Sequence, residues 1–332
     1  MMSELTTKPE LQRRGVYTDL VIKKKGLMSY SSFIKASNEF TTILDFWRYG
    51  VSKACEYGLV YGHGTDNAED DIWSLIAATL SLPFDVNPLF LKARLTTDEK
   101  AILMKRFVDR IIKRIPVPYL LHEANFCGLS LFVDERVLIP RSPIAELIQQ
   151  QFSPWIDSEK VTRILDLCTG SGCIAIACCE AFPHAVVDAV DLSVDALEVA
   201  QINQSRYHLE ERLHLIHSDC WQAVPGDRYD IIVSNPPYVG DEEMLTLPAE
   251  YRYEPDLALR TGNHGLAVVE KILMNAHHYL NEKGILVVEV GNSQEALVEA
   301  YPDIPFVWLE FMHGGEGVFL LTAEQLFTCF NA

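Results

Sequence analysis

From Thr162 onward, short apolar runs of strand length alternate with helical stretches, a rhythm best satisfied by a parallel sheet covered by helices on both faces. Ile164-Leu165-Asp166-Leu167 reads as the first strand, Val186 to Val190 as the second with Asp191 at its end, and His214 to Asp219 as the third. Tyr229-Asp230-Ile231-Ile232-Val233 is the fourth. Gly265 to Leu280 then reads as a helix, Gly284 to Val290 as a strand and Ser293 to Tyr301 as a helix. Phe306 to Phe311 and Gly317 to Thr322 close the sheet as an antiparallel edge pair around Gly314-Gly315. In such a sheet, ligands gather beyond the carboxyl ends of the strands, so the residues after each strand are where function is sought.

After the first strand comes Cys168-Thr169-Gly170-Ser171-Gly172, a tight turn into a helix from Cys173 to Phe182. Gly170 and Gly172 lack a Cβ and let the backbone approach a ligand closely. Asp191, 25 residues beyond Asp166, is suited to grip two ribose hydroxyls. The third glycine of GxGxxG is replaced by Ala175, no basic or Ser/Thr-rich support for a pyrophosphate is present, and no GxxxxGK[ST] offers a triphosphate site. A nucleoside without phosphate fits better, and S-adenosylmethionine is the common one. Asp219 and Cys220 are placed to bracket its adenine, although Asp219 is equally readable as a helix N-cap.

Ser234-Asn235-Pro236-Pro237-Tyr238 follows the fourth strand. Two prolines fix φ, bias Asn235 and Pro236 toward extended backbone and remove two donors. The result is a stiff hook with an Asn amide, carbonyls free of competing N–H groups and an aromatic ring. It suits a planar amide or amino group, with Asn235 Oδ1 and the Pro236 carbonyl taking its N–H bonds and Tyr238 packing on its plane. A proline-terminated strand with a turn behind it accounts for the same residues. Leu247 to Pro255 reads as a mostly irregular segment over this site.

The first half is helical. Residues 1–36 read as an extension. From Ser37, Phe40, Ile43, Leu44, Trp47 and Val51 are spaced for one helix face, and a second helix covers Glu69 to Leu80. Between them, His63 in the loop Tyr61 to Asn67 either meets substrate or stabilises its own loop. Thr96 and Glu99 form a capping box opening a helix whose Met104, Phe107, Val108, Ile111, Ile112 and Ile115 make a buried stripe. Lys105, Arg106, Arg110, Lys113 and Arg114 line its other side, either as a face for RNA or as a solvated surface, and Pro116 and Pro118 end it. The alternation across residues 119–142 predicts a β-hairpin that joins the domains and leans over the active crevice, and Pro143 opens a helix through Phe152. The boundaries expected are an extension over 1–36, a small helical domain over 37–118, a linking hairpin over 119–142 and the sheet domain over 143–332.

Composition narrows the partners. The net charge is −18, while residues 1–40 carry seven Lys/Arg against four Asp/Glu, leaving about −21 for the rest. An acidic body gains nothing from nucleic-acid phosphates, which argues against DNA and for a basic protein partner. Eight cysteines show no CxxC pair, so neither a zinc site nor a disulfide framework is expected. No apolar run approaches the ~18 residues of a membrane span and no signal-peptide core is evident, so the expectation is a cytoplasmic protein with no metal.

Taken together, Asp166 to Gly172, Asp191 and Asn-Pro-Pro-Tyr at 235–238 resemble the S-adenosylmethionine-dependent amino-methyltransferases with a class I Rossmann-like fold. Val133 to Arg141 is similar to the HemK-like protein-glutamine methyltransferases. Within these, Tyr61 to Asn67, Phe126-Cys127-Gly128, Arg141-Ser142-Pro143, Cys168 in the glycine turn and Tyr301 to Phe306 resemble the PrmB-type branch, which acts on the third ribosomal protein of the large subunit. The resemblance runs from about residue 38 to the C-terminus. It departs at Gly262-Asn263-His264-Gly265-Leu266, where the family tends to have an acidic residue. It implies that S-adenosylmethionine touches Asp166, Cys168, Thr169, Gly170, Ser171, Gly172, Asp191, Asp219, Cys220 and Asn235, becoming S-adenosylhomocysteine. It also implies that Asn235, Pro236, Pro237 and Tyr238 hold a substrate glutamine, and that any RNA is met only through the ribosomal protein or an assembly intermediate. Glutamine methylation of peptide release factors, N6-adenine methylation of a flipped base and a non-enzymatic chaperone role are the alternatives.

Overall fold

The computed structural model describes Phe33 and residues 35–330, so the expected extension over 1–36 lies outside the described residues except at Phe33, Lys35 and Ala36. The chain divides into two compact units, residues 1–61 with 65–121 and residues 62–64 with 122–332.

The first unit is built on helices Ile43–Glu56, Ala68–Thr79 and Thr97–Phe107. Each starts on a side chain that satisfies first-turn N–H groups. Thr42 with Asp45 and Thr96 with Glu99 form capping boxes, and the Asn67 side chain accepts from the Asp70 N–H. Phe46, Ile72, Leu75, Leu103 and Phe107 are fully buried between them, each stabilising the unit by about 1.5–3 kcal/mol. Gly50 lies where a Cβ would come within 2.6 Å of Ile72 and 2.9 Å of Phe107, so only glycine permits this close approach. Leu44, expected on the buried face, is exposed, while Phe46 and Tyr49 take its place.

Of the expected stripe, Met104, Phe107, Val108 and Ile111 are buried and Ile112 and Ile115 half-buried, but the helix changes form along it. After Phe107 a π-turn spans Val108–Ile112, and an extra residue in a turn shifts the side-chain phase by about 100°. Within it Arg110 is buried, its Nε and Nη2 donating to Asp71 at 2.8 and 3.1 Å. Arg106 donates to Thr79 at 2.6 Å, and Arg114 to the carbonyls of Gly58 and Tyr57. Of the five basic residues only Lys105 and Lys113 are exposed, so the helix presents no continuous basic face to RNA. Nor do Pro116 and Pro118 end helical structure. Val117–Leu121 is a further short helix, with Pro118 in its first turn, where a missing N–H costs nothing.

In the second unit, β1 (Ala124–Phe126) and β2 (Leu129–Leu131) form a hairpin, shorter than the 119–142 expected because Val117–Leu121 is helical. Its turn residues Cys127 and Gly128 both have positive φ, 52° and 79°, the sense that matches strand twist. The main sheet comprises β3 (Arg163–Leu167), β4 (Val186–Asp191), β5 (Leu213–His217), β6 (Tyr229–Ser234), β7 (Leu280–Glu289), β8 (Val307–Trp308) and β9 (Val318–Thr322). Their order is β5-β4-β3-β6-β7-β9-β8, the first five parallel and β9 antiparallel to both β7 and β8. The period of two sorts the strands onto two cores. Ile164, Ile231 and Val233 pack with Ile174 and Ile176 of helix Cys173–Ala181. Leu165, Ile232 and Val288 pack with Val269, Ile272 and Leu273 of helix Ala267–Tyr279.

β5 ends two residues before the expected Asp219. Ser218 N–H donates to the Asp191 carbonyl at 2.9 Å, and Cys220 turns left-handed at φ 47°, which no strand can continue. The third edge element is likewise shorter than Phe306 to Phe311. The chain runs outward from β3 through β4 to β5, then returns to the other side of β3 as β6. The strand order therefore reverses between β3 and β6, opening a crevice beyond their carboxyl ends.

Candidate active site

Beyond β3, Cys168, Gly170 and Gly172 all have positive φ, at 60°, 57° and 79°. Asp166 staples this turn from beneath. The Thr169 hydroxyl donates to its Oδ2 at 2.5 Å and the Ala175 N–H at 3.1 Å. Burial pushes its carboxyl up to about 7, with those two hydrogen bonds opposing the shift. Asp166 therefore supports the turn from behind and does not line the cavity.

That cavity, of about 340 Å³, lies over the strand ends. The glycine turn contributes Cys168 to Ser171, β4 contributes Asp191, and the chain after β5 contributes Asp219 and Cys220. Asn235 and Pro237 close it from β6, on the strand beside the turn. Of the residues expected to touch ligands, these nine meet in one space. Gly172, Pro236 and Tyr238 join Asp166 outside its lining. A Cβ on Gly170 would meet nothing within 4 Å and project into open space, whereas one on Gly172 would press on Ala200 at 3.3 Å. The first glycine thus leaves room for a ligand and the second for helix Val194–Arg206.

Asp191 accepts the Gly170 N–H at 2.8 Å on Oδ2 and the Ser193 N–H at 2.8 Å on Oδ1. Each oxygen keeps a lone pair for a vicinal hydroxyl. Burial raises its pKa against those backbone donors. Asp219 is held by Lys271 at 3.0 Å, a partner no sequence pattern suggested. The Cys220 sulfur and burial together push the Cys168 thiol up, so it faces the cavity protonated.

Three arginines reach the cavity, yet each faces an acid. Arg136 pairs with Asp134 at 2.7 Å and Glu198 at 2.9 Å, Arg141 with Glu254 at 2.6 Å, and Arg260 approaches Asp241 at 3.5 Å. None is left to neutralise a pyrophosphate, while the acids Asp191 and Asp219 suit a sulfonium nucleoside. The residues present fit S-adenosylmethionine.

The hook is anchored at its start by the Ser234 hydroxyl, which donates to the Leu167 carbonyl at 2.7 Å. Further on, Val239 exchanges backbone hydrogen bonds with Leu259 and Thr261 at 2.9 and 3.0 Å. The Asn235 side-chain amide takes no hydrogen-bond partner among the described residues. Tyr238 does not present its ring to the cavity as expected. Its hydroxyl donates to Glu289 Oε1 at 3.0 Å.

Two further segments complete the cavity. The segment over the cavity is not Leu247 to Pro255 but the next stretch, where Pro255, Leu257, Ala258, Arg260, Thr261 and Gly262 line it. Residues 249–253 instead form a 3-10 turn that buries Glu250. Val137, Leu138, Pro140, Arg141 and Ser142 also line the cavity, at the end of the 119–142 segment expected to lean over the crevice. Burial would raise the Glu254 carboxyl, but His63 and Arg141 outweigh it and hold it at about 2. His63 is buried beside Glu254 at 3.5 Å and the Tyr251 ring at 4.5 Å, away from the cavity lining.

Comparison with known proteins gives the family. A family model described as the methyltransferase small domain matches residues 149–249. The ribosomal protein uL3 glutamine methyltransferase of Francisella tularensis is 46% identical over 290 residues, covering 87% of this chain and 92% of that protein. That of Neisseria meningitidis serogroup B is 49% identical over 300 residues, covering 90% and 99%. The chain belongs to the ribosomal protein uL3 glutamine methyltransferase family. It is an enzyme of the class I methyltransferase fold, with the shared region spanning both units. Among the described residues no group of three or more His, Cys, Asp or Glu is placed to hold a metal, and no helix is long and apolar enough to cross a membrane.

Proposed function

We propose that this chain transfers a methyl group from S-adenosylmethionine to the side-chain amide nitrogen, N5, of a glutamine in ribosomal protein uL3. The observation that carries the reading is the meeting of the Asn235 hook and the glycine turn, on neighbouring strands, in one cavity. S-adenosylmethionine supplies an electrophilic sulfonium methyl when bound. Cys168 to Ser171, Asp191, Asp219 and Cys220 would hold it, with Asp166 and Gly172 shaping the turn from behind.

A carboxamide nitrogen is a poor nucleophile because its lone pair is delocalised into the carbonyl. Asn235 Oδ1, on the cavity lining, would accept an N–H of this amide, leaving the lone pair toward the sulfonium methyl and favouring the positive charge that develops on nitrogen. Holding the amide in one orientation contributes further, and the surplus proton leaves to water. The net charge of −18 suits a basic ribosomal protein, and the names of the relatives favour uL3 over release factors. We place the reaction in the cytoplasm, on free uL3 or an assembly intermediate.

The test is to incubate the full chain with radiolabelled S-adenosylmethionine and, in parallel, uL3 from cells lacking the enzyme, a release factor and adenine-containing duplex DNA. Label on a single uL3 glutamine is expected; label on the release factor or DNA alone would overturn the assignment.

A further inference from the structure

The hook is anchored at its far end by a turn outside the cavity lining. β7 ends at Glu289 and passes through Val290 into Gly291–Ser293. Three features of this turn close on Tyr238. Glu289 Oε1 accepts the Tyr238 hydroxyl at 3.0 Å. The Ser293 hydroxyl donates to the Tyr238 carbonyl at 2.8 Å. Gly291 presents its bare Cα to the ring, where a Cβ would come within 2.6 Å. Gly265 completes the enclosure. At φ 88°, a Cβ there would meet the Tyr238 carbonyl oxygen at 2.3 Å and the Ser293 hydroxyl at 2.2 Å. The loop at 262–266, which departs from the family pattern in its middle residues, keeps the glycine that this packing requires.

Glu289 is 6% exposed and also reaches the opposite wall. Its Oε2 accepts the Ser142 hydroxyl at 2.5 Å, and Ser142 lines the cavity. One buried carboxylate thus ties the hook, through Tyr238, to the wall facing it. We propose that Glu289 is a positioning residue for amide methylation, fixing through Tyr238 the orientation in which Asn235 receives the substrate amide. The proposal rests on the function assigned above. Asn235 lies between two fixed points, the Ser234 anchor on Leu167 and the Tyr238 anchor on Glu289. Loosening the second lets the hook swing while the glycine turn, on another strand, stays as it is. Since a displacement of about 1 Å can reduce rate about 100-fold, the loss belongs in turnover and not in cofactor affinity.

The experiment compares Glu289→Ala, Glu289→Gln, Tyr238→Phe and the Glu289→Ala/Tyr238→Phe double variant, in the full chain, with uL3 as methyl acceptor. Glutamine can still accept from Tyr238 and donate to the Ser142 oxygen. We expect kcat to fall about 10- to 100-fold in Glu289→Ala, with the S-adenosylmethionine Kd within about 3-fold of the parent. Glu289→Gln is expected to recover most of that loss. The double variant should be little worse than the poorer single variant, because both remove one contact. Full kcat in Glu289→Ala, equal losses in kcat and cofactor binding, or multiplicative losses in the double variant would each overturn the assignment. An inactive parent on uL3 would instead strike the function itself, whatever the variants do.

Discussion

The glycine turn after β3 and the proline hook after β6 sit side by side and reach the same cavity by opposite means. The turn is shaped by what it lacks, with Gly170 leaving open space and its N–H spent on Asp191. The hook is shaped by constraint, with two ring-locked φ angles and an anchor at each end. The difference teaches that binding the donor requires room, whereas activating an unreactive nitrogen requires a fixed orientation. Damage to the turn should therefore appear in affinity, and damage to the hook in rate.

The largest effect on the turn side is expected for Gly170→Val. A β-branched residue at φ 57° is strained, and its side chain enters the cavity. S-adenosylmethionine affinity should fall about 100-fold by calorimetry, equivalent to about 2.7 kcal/mol, with thermal unfolding still cooperative. Wild-type affinity with reduced kcat would break the division between the two regions. Asp191→Asn is expected to do less. It retains an acceptor but gives up one oxygen's pair of contacts, so cofactor affinity should drop about 10-fold, about 1.4 kcal/mol, with turnover at saturating cofactor little changed.

A third effect, on stability and not on cofactor affinity, concerns what lies beneath the turn. The Asp166 carboxyl is held near 7 when folded against a usual 3.8, so the folded chain keeps this proton more tightly than the unfolded one. Its contribution to stability is therefore fullest below about 4 and is lost as pH rises toward about 7. Asp166→Asn has no charge to bury. Relative to the parent, its melting temperature should rise across that window and then level off. A flat difference from pH 4 to 8 would show that Asp166 ionises freely.

Much of this was legible because each strand ends in a residue type that marks it. Alternating runs gave the parallel sheet, and Asp191 and Asn235 lie at strand ends where the crevice opens. What was not legible depends on contacts distant in sequence. Arg110 reads with its basic neighbours as a solvated residue, and nothing local reveals Asp71, 39 positions away, as its buried partner. Tyr238 reads as a ring for the substrate because nothing local reveals Glu289, 51 positions on. The cavity wall at 255–262 was missed by one segment. Its placement comes from backbone pairing of Val239 with Leu259 and Thr261, which leaves no pattern in side-chain type.

The central claim is that Asn235 activates the substrate nitrogen and does not hold the donor. It is tested most directly by measuring single-turnover methyl transfer to uL3 and S-adenosylmethionine Kd on the same preparation of Asn235→Ala. Transfer should fall by about 100-fold or more, the scale for removing one fixed polar group from a reacting centre, with Kd within about 3-fold of the parent. A parallel loss of both, or transfer that survives, would contradict it.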